Sequence, residues 1–239
     1  DIVFSDGSAT PYADGLTLTE EQKNAAIAVI FYVGTELNSD IFTVDENYNM
    51  TVSASDTATS RTLGVGLVHS ESGLAWCTST ANAHDRNIDF IQCISSGRGK
   101  NATFTGDKDG SDNLAQISAF LQHNILNDDT ATAANYPAFY FAKNYASQEG
   151  SHLMGTDYKS DWYLPTIAEL FQIWKSKTTV DAASTLCGGS QFGTGSYLSS
   201  SQHVSLDNLA YFFHFGYGQW DGYAKDNTGI CVCAVRAFN

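Results

Sequence analysis

The chain has 239 residues, 43% of them hydrophobic and only 16% charged, a balance that supports a sizeable core and excludes intrinsic disorder. Twenty-six Asp and Glu against 12 Lys and Arg leave a net charge of −14, with Arg98-Gly99-Lys100 the nearest approach to a basic cluster. Such a chain cannot neutralise phosphates, so nucleic acid is excluded as a partner, and an anionic membrane surface repels it.

The longest apolar run, Ala25 to Val33, has nine residues, far below the roughly 20 needed to cross a bilayer. The opening Asp1-Ile-Val-Phe4 carries no signal-peptide pattern, as in a processed or trimmed chain, which says little about export. Residues 1–12 read as a strand turning at Asp6-Gly7. Thr19-Glu-Glu-Gln22 is a capping box that starts a short helix, and Ala26–Val33 is a central strand. Residues 35–60 are polar and read as a surface excursion. Arg61–Val68 alternates apolar residues with glycine and reads as a strand, with Leu74–Cys77 its expected hairpin partner.

Residues 94–111 read as a loop. Within it Asp107-Lys-Asp-Gly-Ser-Asp112 resembles a calcium loop, but its glycine falls at the fourth position where an EF-hand needs the sixth, so a solvated turn is expected. Leu114–Ile125 has helical spacing, and a second helix is expected around Pro137–Tyr145. Asp161-Trp-Tyr-Leu-Pro-Thr166 is a strand meeting a helix cap, and Ile167–Lys175 is a helix with Leu170, Ile173 and Trp174 inward. Strands are expected at Ser196–Ser201, Ala210–Phe215 and Ile230–Phe238, with glycine- and aromatic-rich turns between them, notably Gly216–Gly222.

The five cysteines, Cys77, Cys93, Cys187, Cys231 and Cys233, follow no disulfide-scaffold spacing and form no CxxC or Cys/His quartet. There is no Gly-x-Ser-x-Gly elbow and no HExxH, and the adjacent His84-Asp85 does not by itself present a base with its orienter. Asp107 and Asp109 are expected in a flexible turn where nothing raises their pKa. No metal, cofactor or catalytic residue is therefore expected.

The ordered set Asp161–Leu170, Tyr197–Ser201 and Ala210…Phe215…Gly218…Lys225…Val235-Arg-Ala-Phe238 resembles the Lcl C-terminal domain family. That family belongs to the formylglycine-generating-enzyme branch of C-type-lectin-like folds. Ile27–Tyr32 followed by Leu63–Val68 is similar to its opening hairpin. The resemblance implies a single α+β C-type-lectin-like domain over 1–239, with a polar, partly helical insertion at 94–150. It also implies pairing of residues 1–10 with the strand near 230–238. Trp162, Leu164 and Leu170 then pack helix on sheet, Pro165 sits near the helix start, and Arg236 clamps a carboxylate or carbonyls.

Residues 199–238 further resemble the variable proteins of diversity-generating retroelements such as that of Treponema. There, adenine-directed mutagenesis rewrites codons, often AAC, ahead of an unchanged tail. AAC cannot become Gln, Trp or Lys, so Gln202, Gln219, Trp220 and Lys225 belong to the fixed framework. His203, Ser205, Asp207, Tyr211, Phe213, His214, Tyr217, Asp221 and Tyr223 are the candidate diversified, ligand-binding positions. The residues themselves fit an interaction surface: Tyr and Trp give contact area at low entropic cost beside adaptable polar groups. By their setting, Phe212 and Phe215 go to the core, while Tyr217, Trp220 and Tyr223 lean toward the surface.

The expectation is a non-enzymatic binding protein on a bacterial cell surface (the outer membrane), held by a lipid anchor outside this chain and binding a protein or glycan. Two alternatives stand beside it. One is a copper-dependent formylglycine-generating oxidase using Cys231 and Cys233, whose i, i+2 spacing puts both thiols on one side of a strand. The other is an adhesin with an invariant site.

Overall fold

The computed structural model describes residues 1–38, 41–44, 50–53, 59–97, 99–124 and 131–238. Arg98, Ile125 and parts of the expected 35–60 excursion lie outside the described residues. The opening apolar run forms β1 (Ile2–Phe4), which turns at Asp6-Gly7 and pairs with β2 (Ala9–Thr10). Thr19 caps α1 (Glu20–Ala25), its hydroxyl accepting from Gln22 N at 3.2 Å while the Gln22 amide oxygen accepts from Thr19 N at 2.9 Å. The helix gives way directly to β3 (Ala26–Gly34), whose branched and aromatic residues favour a pleated surface.

A hairpin of β4 (Ile41–Val44) and β5 (Met50–Ser53) precedes β6 (Arg61–Gly66). The hairpin β7 (Cys93–Ser96) and β8 (Thr103–Gly106) follows, where the sequence reads as a loop. Next come α2 (Asn113–Asn124), α3 (Pro137–Lys143), α4 (Ile167–Lys175) and α5 (Lys177–Leu186), the last of them not expected. The chain closes with β9 (Ser196–Gln202), β10 (Leu209–His214), β11 (Gln219–Ala224) and the short β12 (Val235–Ala237).

The fold is α+β. One antiparallel sheet has the order β12-β6-β3-β1-β2 and a second the order β11-β10-β9. Side-chain alternation divides the large sheet between two cores. Ile2, Phe4, Val29 and Phe31 face one core with Leu170 and Ile173 of α4 and Val180 of α5. Val3 and Ala28 face the other with Ile117 of α2 and Phe139 of α3. The small sheet is split the same way, Tyr197, Tyr211 and Phe213 going to the first core and Leu198 and Ala210 to the second.

Four expectations are corrected. Leu74–Cys77 is not a strand. Leu74 N donates to Ile230 O and Cys77 N to Lys225 O, so this segment seats Trp76, 0% exposed, against the C-terminal segment, while β6 finds its partners in β3 and β12. The termini share a sheet but do not pair, because β3 and β6 lie between β1 and β12. The expected strand Ile230–Phe238 is confined to β12, three residues, preceded by an isolated bridge between Cys231 and Tyr197. Residues 219–222, read as a turn, belong to β11, which pairs with β10 in the register Phe213↔Trp220 and Tyr211↔Gly222.

Arg236 clamps carbonyls as expected, its Nε donating to Ser160 O at 2.8 Å and its Nη1 to Ala237 O at 2.9 Å. Trp162, Leu164 and Leu170 are buried. Among the described residues, no helix is long and apolar enough to cross a membrane.

Candidate ligand-binding surface

The small sheet carries nearly all of the candidate positions, and its two ends differ. At one end Gln202 and Lys225 are both 0% exposed. Lys225 Nζ donates to Ala83 O at 2.8 Å, to Arg86 O at 3.2 Å and to the Gln202 amide oxygen at 3.3 Å, and it lies 4.7 Å from the Trp76 ring centroid. The Gln202 amide oxygen also accepts from Ile88 N, and its amide nitrogen donates to Arg86 O. No carboxylate stands within ion-pair distance of Lys225 among the described residues, and burial pulls its pKa down to about 8. Acceptors satisfy this lysine without a counter-charge, and they tie the last turn of the sheet to residues 83–88.

Residues 203–208, which join β9 to β10, leave the sheet at this same end, and the β10–β11 turn makes the opposite end. The His203 ring accepts through Nδ1 from Ser205 N at 3.1 Å and Leu206 N at 3.2 Å, which shapes the loop. Desolvation, opposed by Asp221, lowers its pKa, in keeping with a ring that acts as an acceptor. Ser205, Asp207, Tyr217 and Asp221 are exposed, and His203, His214 and Tyr223 are partly so. His214 and Tyr217 rings lie 4.3 Å apart, and Tyr223 packs edge-on to Phe212 at 5.7 Å.

Alternation fixes which side chains share a face. His214, Asp221 and Tyr223 fall on one side of the β10–β11 pair, whereas Tyr211 and Phe213 point the other way into the first core. Phe213, 0% exposed, and Tyr211, 8% exposed, therefore do not belong to the surface. Phe212, expected in the core, is half-buried instead, because it lies on the opposite face from Phe213. Gln219, expected in the framework, is exposed.

The β10–β11 turn is held down by α4. Gly218 has φ +64, and a β-carbon there would lie 2.1 Å from the Trp174 ring, so only glycine fits. Trp220 Nε1 donates to Ser95 Oγ of β7 at 2.8 Å, and its ring stacks over Phe213 at 6.1 Å. Between this turn and the 95–99 segment lies a cleft of about 410 Å³ walled by Tyr217, Gln219 and Trp220. Sequence reasoning missed the cleft because its far wall comes from the β7–β8 hairpin. Tyr217, 75% exposed, adds apolar surface at this end, and Leu206, 50% exposed, adds it at the other.

A second polar cluster was misread as a solvated turn. Asp107 and Asp109 are 3% and 1% exposed. Asp109 pairs with Arg61 at 2.8 Å, and Arg61 also donates to Leu37 O at 2.7 Å and to Tyr163 Oη at 3.1 Å. Although burial works against it, Tyr163, Glu169 and Asp109 hold the Arg61 pKa above its ordinary value. Glu169, 3.8 Å from Arg61, accepts from Tyr163 Oη, Thr166 N and Gly110 N. Burial, then the neighbouring Asp109, pushes its carboxyl up to about 7. Burial raises the Asp107 pKa well above the carboxylate range. The Thr166-x-x-Glu169 capping box is the one sequence signal for this cluster.

His84 and Asp85 do meet, at 2.9 Å, with Asp226 3.7 Å from the other ring nitrogen. Cys231 and Cys233 both pack against the first core. Cys233 is 0% exposed, and burial raises its thiol pKa, the reverse of the accessible thiolate that copper oxidase chemistry requires. These two residues do not fit a catalytic copper centre. Among the described residues, no group of three or more His, Cys, Asp and Glu side chains is arranged to hold a metal.

Neither a protein-family model nor a curated protein sequence matches the chain. Its fold is similar to that of a solved structure, a fimbrial protein from Bacteroides ovatus ATCC 8483, with a TM-score of 0.58, 13% sequence identity and 98% of this chain covered. This chain spans about half of that protein's length, 48%, and at such identity the likeness is one of fold.

Proposed function

We propose that this chain is a non-enzymatic binding protein displayed on a bacterial cell surface, with its ligand surface on the exposed side chains of the β10–β11 pair and the loops at both ends of the small sheet. Within that reading the surface is C-type-lectin-like and diversified by a retroelement, and His203, Ser205, Asp207, His214, Tyr217, Asp221 and Tyr223 are the positions that change. The observation carrying it is the segregation along one sheet. Of the four residues that AAC mutagenesis cannot produce, Gln202 and Lys225 are fully buried and hydrogen-bonded and Trp220 is partly buried, with Gln219 the exposed exception, while seven of the nine positions it can produce remain at least partly exposed. The fold likeness to a fimbrial protein supports surface display. The ligand is a protein or glycan met at the Tyr217–Trp220 cleft, and attachment to the outer membrane is through a lipid anchor outside this chain.

Sequencing the encoding locus and its flanks tests the retroelement. The expected result is a near-identical repeat whose differences from the gene fall at adenines and within codons 203–223. A locus with no such repeat would leave an adhesin with an invariant site. A copper oxidase is disfavoured by the buried Cys233 thiol. Cys231→Ser/Cys233→Ser protein is expected to bind as the parent does, and turnover of a cysteine-containing peptide by the parent alone would restore the enzyme.

A further inference from the structure

A separate groove of about 480 Å³ runs between α2, α3 and the extended segment 159–164, and it shares no residue with the Tyr217–Trp220 cleft. Its lining combines the exposed Ser111 and Asn144 with the partly buried Leu114 and Tyr140 and the buried Trp162. Two lysines face it, Lys143 at the end of α3 and Lys159 across the opening, both exposed. Among the described residues neither stands within ion-pair distance of a carboxylate. The acidic side chain in the groove, Asp161, lies 3.6 Å from Arg236, which offsets its charge. The groove is thus locally cationic in a chain of net charge −14, so it attracts an anion that the rest of the surface repels.

We infer that this groove binds an acidic oligosaccharide, its carboxylates paired with Lys143 and Lys159 and its sugar rings lying over Tyr140 and Trp162. Size and wall chemistry favour a saccharide over a peptide. The volume suits a small ligand rather than an extended chain. The serine hydroxyl and asparagine amide also suit a ligand rich in hydroxyls.

The test is calorimetric titration of the full chain with acidic tetrasaccharides built from galacturonate, glucuronate or sialic acid, their neutral methyl esters, and tetraglutamate. The expected result is that at least one acidic tetrasaccharide binds with a Kd below about 1 mM and weakens with added salt, while its ester does not bind. The variant Lys143→Gln/Lys159→Gln, with an unchanged melting temperature, should bind at least about tenfold more weakly, and Lys100→Gln, at an exposed lysine outside the groove, as well as the parent. No binding by any acidic saccharide, equal binding of acid and ester, undiminished binding by the double lysine variant, or a match by tetraglutamate would each overturn the inference. Loss of binding in Tyr217→Ala would move the site to the other cleft.

Discussion

The small sheet carries a buried polar anchor and a set of exposed side chains on the same three strands, and the two obey opposite rules. At the anchor the Gln202 amide and the Lys225 ammonium are hydrogen-bonded and 0% exposed, beneath the exposed 203–208 loop. At the Tyr217 end the backbone is held equally firmly, by Gly218 against Trp174 and by Trp220 against Ser95, but the side chains between those anchors are free of the core. The difference teaches that rigidity here does not depend on the exposed side chains. A surface whose backbone is fixed from beneath can change residues at little cost to folding.

The largest expected effect lies outside the contrast and calibrates it. Trp162→Ala should cost about 3–5 kcal/mol through the cavity it leaves, against no more than about 0.5 kcal/mol for Tyr217→Ala. Urea melts giving equal losses would erase the distinction between core and surface. Next in size, Lys225→Met should cost about 1–3 kcal/mol by stranding the carbonyl of Ala83. The lysine also has a pH signature. Its folded pKa, about 8, lies below the ordinary 10.5, so the unfolded chain binds more protons between those values and stability from this group rises with pH across that window. Chemical denaturation at pH 8 and pH 10 should show the rise in the parent and its loss in Lys225→Met.

The buried carboxyls work in the opposite sense. Glu169 titrates near 7 in the folded chain against 4.5 ordinarily, and Asp107 is raised well above 3.8. The folded state therefore holds extra protons, and the stability from these groups falls as pH rises from about 4.5 to about 7. Asp107→Asn should flatten that decline. A parent whose dependence is unchanged by the substitution would show that Asp107 is not the buried neutral acid described above. Smallest of all, His203→Ser or Asp221→Asn should each shift stability by no more than about 0.5 kcal/mol.

Much of the fold was legible in the sequence where one local signal settled the outcome. The Thr19–Gln22 box, the Ala26–Val33 run and the Ile167–Lys175 helix agree with the structure because capping and periodicity are read within a few residues. The failures came from partners distant in the chain. Asp109 looks like a turn residue until Arg61 and Glu169 are brought to it, and Leu74–Cys77 looks like a strand until the C-terminal segment occupies its hydrogen bonds. Gln219–Ala224 alternates Trp220, Gly222 and Ala224 with Gln219, Asp221 and Tyr223, a period of two that the glycines and aspartate disguised as a turn. Phe213 was placed on the surface by codon logic alone, and its spacing of two from Phe215, read as core, was the signal that would have removed it. The cleft was not legible at all, since Ser95 and Trp220 meet only through the fold.

The most direct measurement of the central claim compares two displayed libraries. One randomises His203, Ser205, Asp207, His214, Tyr217, Asp221 and Tyr223; the other randomises an equal number of buried positions in the same sheet, among them Tyr211, Phe213, Gln202 and Lys225. Protease resistance reports the folded fraction, and selection against a fixed test protein such as lysozyme reports binding. The account predicts that most members of the first library stay folded and that binders emerge from it, while the second library is largely digested. Equal digestion of both libraries, or a fully folded first library with no binders, would contradict it.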